Sequence, residues 1–281
     1  MEEEAKNLLW NCAINESVEK VREMGYTPIF CGIYGSPNYN LDIYDEDYKS
    51  DIDTKVIIIP TLEELVDNSK PVSTTIDIKD GECDIKDIRV FAQTLIKCNV
   101  QFLETLTSRC CWINSKYEEE VSFLIDNRDK LIDEQLSQLL KSVYGMCLEK
   151  EKALCHPYPK IKWKIDKWGY DGKQLHHILR LRDFLTNYID NMETFDNSIW
   201  YRKGDRRDFL IQVKKNKLNL DEAVALANST CKFVKEKVDK ELLRIKNQDN
   251  NMIKNEYLSS VKNIIIKNIE NQILDKHRRE L

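Results

Sequence analysis

The chain changes texture near residue 115, and that change restricts its possible folds more than any other feature. Before it, apolar runs of strand length alternate with turn residues: Thr27-Pro-Ile-Phe-Cys-Gly-Ile-Tyr34, Asp51 to Ile59, Ser73-Thr-Thr-Ile-Asp-Ile78 and Cys83-Asp-Ile85. Lys79-Asp-Gly-Glu82 separates the last two as a hairpin turn would. Gln101–Leu106 reads as a further short strand or extended segment. Apolar residues at helical spacing predict helices over 3–24, 61–68 and 87–98, the second with a Thr61–Glu64 capping pattern. Beyond 115 the helical spacing persists over 115–131, 134–153, 172–190, 220–244 and 252–278. A Pro/Trp/Lys-rich connector at 156–164 and a loop around 194–207 interrupt it. The expectation is an α+β chain: a short mixed sheet with flanking helices in residues 1–114, then an α-helical C-terminal domain in 115–281.

The longest apolar run, Lys55-Val-Ile-Ile-Ile-Pro60, is far short of the ~20 residues that a membrane span needs. The N-terminus, Met1-Glu-Glu-Glu-Ala5, shows no secretory pattern, so the expected location is cytoplasmic with no membrane partner. Nine cysteines are scattered without a C-x-x-C pair, which suits reduced structural thiols better than disulfides or zinc. Net charge is −13 over residues 1–150 and +8 over 151–281. Such asymmetry suits an acidic half that holds cations and a basic half that faces phosphates or nucleic acid.

The chemistry concentrates where Gly35-Ser36 ends one expected strand and Asp51-Ile52-Asp53 opens the next. Acids at i and i+2 of a strand project from one face, and their repulsion is relieved by a shared cation. Mg²⁺ suits the pair, with Mn²⁺ as the substitute, because it takes few carboxylates and leaves positions for water and phosphate oxygens. A Gly-Ser turn lets backbone N–H groups and a hydroxyl approach a phosphate closely.

Tyr34-Gly-Ser36 followed by Ser50-Asp-Ile-Asp53 resembles the signature of the DNA polymerase beta-like nucleotidyltransferases. More narrowly, the chain is similar to the RNA-ligase-associated predicted nucleotidyltransferases of bacteria and phages. That similarity runs through residues 35–40, 50–55, 83–89, 99–104 and 169–180. The resemblance implies a nucleotidyltransferase catalytic domain in 1–114 and a helical domain with a basic, substrate-facing surface in 115–281. It also implies a third carboxylate on an adjacent strand. Asp84 is favoured because its strand leads directly into the following helix; Asp77 shares its apolar-acid-apolar pattern, and Asp87 reads better as an N-cap or first-turn acid of that helix. The implied metal ligands and catalytic residues are Asp51, Asp53 and Asp84, and the implied nucleotide-binding residues include Gly35 and Ser36.

Lys173, His176, His177 and Arg180 fall on one face of the helix expected at 172–190, as a row of cations that could receive a triphosphate. Lys173, His177 and Arg180 therefore join the nucleotide-binding set. Adjacent histidines diverge on a helix, which argues against zinc. A second basic patch, Arg202-Lys-Gly-Asp-Arg-Arg207 beside Trp200 and Tyr201, has the composition of a nucleic-acid contact or of a solvated loop. The expected activity is metal-dependent transfer of a nucleoside monophosphate from an NTP to an acceptor hydroxyl. The acceptor is an RNA end, a protein side chain or a small molecule, and the basic second half favours RNA. The alternative is a nucleotide- or RNA-binding regulator, such as a toxin–antitoxin component, that keeps the fold without turnover.

Overall fold

The computed structural model describes residues 3–46, 48–245 and 251–280. Its five strands are β1 (Thr27–Ile33), β2 (Thr54–Ile59), β3 (Ser73–Ile78), β4 (Gly81–Asp87) and β5 (Cys111–Ile113). They form one mixed sheet in the order β3-β4-β2-β1-β5, with β2 and β4 parallel and the other neighbours antiparallel. With the long helices that follow, this is the α+β architecture expected from the sequence.

The chain divides into two compact units that no single cut separates. The first gathers Met1–Asn38, Asp51–Gln135 and Asp249–Leu281; the second gathers Tyr39–Ser50 and Leu136–Gln248. The C-terminal helix thus groups with the sheet, and the loop ahead of β2 groups with the helical unit.

In the first unit, β2 is the central strand and is buried along its whole length. Val56, Ile57, Ile58 and Ile59 are at most 1% exposed, and full burial of each contributes roughly 1.5–3 kcal/mol. Helix Glu3–Glu23 lays Trp10, Ala13, Ile14, Val18 and Val21 on Val56, Ile58, Cys83 and Ile85. Its Ser17 hydroxyl shares a 2.7 Å hydrogen bond with the Thr54 hydroxyl, so the polar pair is satisfied within that layer. Helices Ile88–Leu95 and Met252–Glu280 pack on each other and on β2. Tyr117 donates from its hydroxyl to Asn268 (3.1 Å), whose amide donates to the Pro60 carbonyl (3.3 Å).

Two expectations in this unit are corrected. Gln101–Leu106 is helical, with Val100–Leu103 followed by a 3-10 turn at Glu104–Thr107. Asn99 decides this by capping the helix: its side chain accepts from the Gln101 N–H at 3.0 Å. The nearby strand is β5 instead. The single helix expected over 115–131 is a 3-10 turn (Ser115–Tyr117) and two helices, Glu118–Asp126 and Arg128–Glu134, parted at Asn127.

The second unit packs helices Leu136–Ala153, Gly172–Leu185, Asp205–Lys214 and Leu220–Arg244 on one another. Gly172 permits the closest approach: a Cβ there would lie 2.2 Å from the Val213 carbonyl oxygen. The connector at 156–164 runs into a helix, Lys162–Trp168, ended by Gly169 at φ 79°. The loop expected around 194–207 contains helix Phe195–Ile199 and the start of Asp205–Lys214. Among the described residues, no helix is long and apolar enough to cross a membrane.

Candidate active site

The Gly35-Ser36 turn leaves β1 at the edge where Asp51–Asp53 enters β2. The Tyr34 N–H donates to the Asp53 carbonyl at 3.1 Å, extending the β1–β2 pairing by one step. Gly35 sits at φ 80° with open space where a Cβ would stand, so conformation and not crowding favours glycine there. Ser36 opens a 3-10 turn. Residues 51–53 lie just ahead of β2, three residues earlier than its first ladder position. They still alternate as the sequence predicts: Asp51 is exposed, Ile52 fully buried and Asp53 half-buried.

The β3–β4 turn fixes this segment. The Ile52 N–H donates to the Asp80 carbonyl (2.9 Å), and the Glu82 N–H donates to Asp53 Oδ1 (3.1 Å). A Cβ on Gly81 would lie 2.5 Å from the Ile52 carbonyl oxygen and 3.0 Å from Asp53 Oδ1. The Asp-Gly dipeptide therefore serves both the hairpin and the placement of Asp53.

Pairing across β2 and β4 sets Lys55 opposite Asp84, and strand alternation puts Asp53, Lys55, Glu82, Asp84 and Lys86 on one face. Asp84 accepts from Lys55 Nζ at 2.5 Å and from Lys86 Nζ at 2.8 Å. The Lys55 ammonium, almost wholly buried, also lies 4.5 Å from the centre of the Tyr34 ring and 4.8 Å from that of Phe102. Burial, then the charges of Asp53, Asp84 and Glu104, hold the Tyr34 hydroxyl well above the ordinary phenol range, so it stays protonated. Glu104 is 2% exposed and accepts from the Gly35 N–H at 3.3 Å, which turns that amide inward.

The other two acids considered for the third position have different surroundings. Asp87 is buried and caps helix Ile88–Leu95 through the Arg89 N–H (2.8 Å), while both its oxygens pair with the Arg89 guanidinium. Asp77 is exposed on the edge strand β3, opposite Glu82. Asp84 is the one set beside the residue two places beyond Asp53.

The donors at this end are carboxylate oxygens, which suit a hard cation; Cys83 lies in the apolar layer under helix Glu3–Glu23. Among the described residues, however, no group of three His, Cys, Asp or Glu side chains is arranged to hold a metal. Asp51 and Asp53 stand two residues apart, the first exposed and the second half-buried with its Oδ1 accepting from the Glu82 N–H. Asp84 is occupied by two ammonium groups and does not complete a triad in this arrangement.

Lys173, His177 and Arg180 lie on helix Gly172–Leu185 of the second unit, with Asp171 as its N-cap (Lys173 N–H, 3.1 Å). Lys173 is exposed, and the Arg180 guanidinium carbon lies over the Tyr39 ring at 3.3 Å from its centre. His176 is 1% exposed, and neither ring nitrogen has a hydrogen-bond partner among the described residues. Burial, then Arg180, pushes both histidines well below the ordinary imidazole range. The expected row of cations is therefore two cations and two neutral rings. Burial of the face, invisible in helical spacing alone, is the reason.

Sequence reasoning missed Lys55, Lys86, Glu82 and Glu104. A signal existed for the first, since Lys55 stands two residues from Asp53 and must share its face. Glu104 was hidden because its segment reads as a strand and folds as a helix. The fitting of Gly172 against Val213 gives the 169–180 stretch a packing role.

No family model matches the sequence, and neither does any curated protein. A solved structure of a nucleotidyltransferase-like protein from Exiguobacterium sibiricum aligns with 95% of this chain and 91% of its own. The identity is 10% and the TM-score 0.32, too distant a likeness to transfer any chemistry.

Proposed function

We propose that the chain is a metal-dependent nucleotidyltransferase that moves a nucleoside monophosphate from an NTP to an acceptor hydroxyl, with an RNA end as the favoured acceptor. One observation carries the reading: Asp51 and Asp53, anchored by the β3–β4 turn, enter β2 beside the Gly35-Ser36 turn. In this reading Asp51 and Asp53 hold Mg²⁺ or Mn²⁺, and Asp84 is the third carboxylate, reached by exchanging its lysine partners. Such an ion supplies charge neutralisation for the triphosphate and the departing pyrophosphate. The acceptor oxygen forms a new bond to the α-phosphorus as the bond to pyrophosphate breaks, and Asp84 takes the hydroxyl proton. The Ser36 hydroxyl binds a phosphate oxygen; Lys173, His177 and Arg180, on helix Gly172–Leu185, form a phosphate-binding set of their own, with His177 as a neutral donor.

The non-catalytic alternative, a nucleotide- or RNA-binding regulator, is favoured by one feature: Asp84 is already neutralised by Lys55 and Lys86. The two readings separate in a transfer assay. The protein is incubated with each NTP radiolabelled at the α-phosphate, Mg²⁺ or Mn²⁺, and total RNA or cell lysate. Label should pass to an acceptor, and Asp51→Asn/Asp53→Asn should reduce the transfer by at least about a hundredfold. No transfer to any acceptor, with equal nucleotide binding by both proteins, would sink the enzyme reading in favour of the regulator.

A further inference from the structure

A cavity of about 380 Å³ in the helical unit has an unusual lining, and the proposed transfer chemistry does not use it. Five lysines surround it: Lys164, Lys167, Lys214, Lys215 and Lys217. Three rings, Trp163, Trp168 and Tyr48, and the amide Asn216 complete the lining. It contains neither an acid nor an aliphatic side chain among the described residues.

The local structure explains the gathering. Helix Lys162–Trp168 places Trp163 and Lys167 four residues apart, on one face, and Lys164 and Trp168 likewise. The lysines at 214–217 come from the end of helix Asp205–Lys214, where cations complement the exposed carbonyls. Asn216, at φ 57°, turns the chain there and pins it by donating to the Tyr170 carbonyl at 2.8 Å. Two of the lysines pair with acids outside the lining, Lys164 with Asp171 (3.1 Å) and Lys215 with Asp45 (2.5 Å). Lys167 and Lys217 are exposed, whereas Lys214 is buried, its ammonium 5.3 Å from the centre of the Tyr48 ring and donating to the Ser50 hydroxyl oxygen (3.2 Å) and the Leu41 carbonyl (3.5 Å).

Trp163 decides the ligand class. It is 57% exposed at the rim, with its ring centre 5.5 Å from that of Trp168. An indole left open to water amid ammonium groups offers a stacking surface beside a phosphate track. An acidic peptide would use the lysines and leave that ring without a partner. A duplex would keep its bases inside the stack, out of reach of Trp163. We propose that this cavity binds single-stranded nucleic acid, with a base stacked on Trp163 and neighbouring phosphates held by the exposed Lys167 and Lys217. The proposal does not depend on turnover at Asp51 and Asp53.

The test measures binding of a short fluorescent oligoadenylate by anisotropy, together with quenching of tryptophan fluorescence, in the absence of divalent ions. Trp163→Ala should weaken binding at least about fivefold and remove much of the quenching. Lys167→Glu/Lys217→Glu should weaken it by roughly tenfold or more and flatten its salt dependence, since each lost phosphate contact removes about 0.7 from the log–log slope. All three positions are solvent-accessible, and unchanged melting curves verify that the variants fold. Arg202→Glu/Lys203→Glu, on a separate basic cavity of the same unit, should stay within about twofold of wild type. Wild-type affinity in both cavity variants overturns the proposal, as does loss confined to Arg202→Glu/Lys203→Glu. Equal or tighter binding of a blunt duplex or of polyglutamate also overturns it. A failed transfer assay with these binding results intact would remove the proposed enzyme and leave the strand-binding cavity standing.

Discussion

The carboxylate face of the sheet and the basic face of helix Gly172–Leu185 handle charge in opposite ways. On the sheet, acids and lysines alternate across β2 and β4, so that Asp84 sits between two ammonium groups and Asp53 receives a backbone N–H. On the helix, Arg180 lies over a tyrosine ring, and His176 is buried with no hydrogen-bond partner among the described residues. The acidic face thus draws on lysines beside it, whereas on the basic face a ring lies under Arg180 and the histidines stay neutral. The −13 of residues 1–150 and the +8 of residues 151–281 describe the sequence accurately, yet the folded units divide the chain elsewhere. Local pairing, more than regional net charge, sets the electrostatics of each site.

Breaking the compensation on the sheet should have the largest effect. Lys55→Met removes a nearly buried ammonium and leaves Asp84, 13% exposed, with Lys86 alone. Loss of one partner from a buried pair typically costs about 3–5 kcal/mol, and the lower end is expected because one lysine remains. Lys55→Met/Asp84→Leu should recover at least half of the loss in urea denaturation. If Lys55→Met costs under about 1 kcal/mol, the two faces do not differ in the way described.

The sequence disclosed the elements of this comparison unevenly. Gly35-Ser36, Asp51-Ile-Asp53 and the Asp-Gly turn are local signals, and the chain folds at each as short-range chemistry dictates. The burial of Lys55 is not local: it depends on β4 lying parallel to β2, a pairing of residues 29 apart. Glu104 was missed because Asn99 capped a helix where the residue types suggested a strand. The grouping of helix Met252–Glu280 with the sheet is longer-range still, and no pattern within that helix states it.

Next in size come two glycines that give each unit its closest backbone approach. Gly172→Ala would press a methyl against the Val213 carbonyl, and Gly81→Ala against the Ile52 carbonyl, at 2.2 and 2.5 Å before relaxation. Overpacking of this kind typically costs about 1–3 kcal/mol. Gly172→Ala should lie near the upper end, since its contact with a backbone oxygen is the shorter of the two. The consequences should differ more than the stabilities. Gly81→Ala displaces Asp53 and should reduce divalent-ion binding, whereas Gly172→Ala should leave it unchanged once the variant is folded. Equal metal titrations for both variants would show that the β3–β4 turn does not position Asp53.

The smallest effect tests the neutral histidines of the helical unit. In the unfolded chain His176 titrates near 6.5; in the fold, burial and the charges of Arg180 and Lys173 on its own helix and Lys214 on the neighbouring one keep it neutral well below that. Below pH 6.5 the unfolded chain therefore binds the extra proton. Stability contributed by the neutral ring is fully present above that pH and falls as pH drops toward the folded value, by up to about 1.4 kcal/mol per pH unit. His177 is shifted in the same direction, so it adds a second, similar dependence. His176→Leu should remove one of the two, making the loss between pH 7 and pH 5 smaller by up to about 2 kcal/mol in urea denaturation. Comparing variant with wild type cancels the carboxylates common to both. An unchanged pH dependence would mean that His176 finds a proton acceptor on acidification, and the contrast with the self-compensated sheet face would then narrow to Asp84 and its lysines.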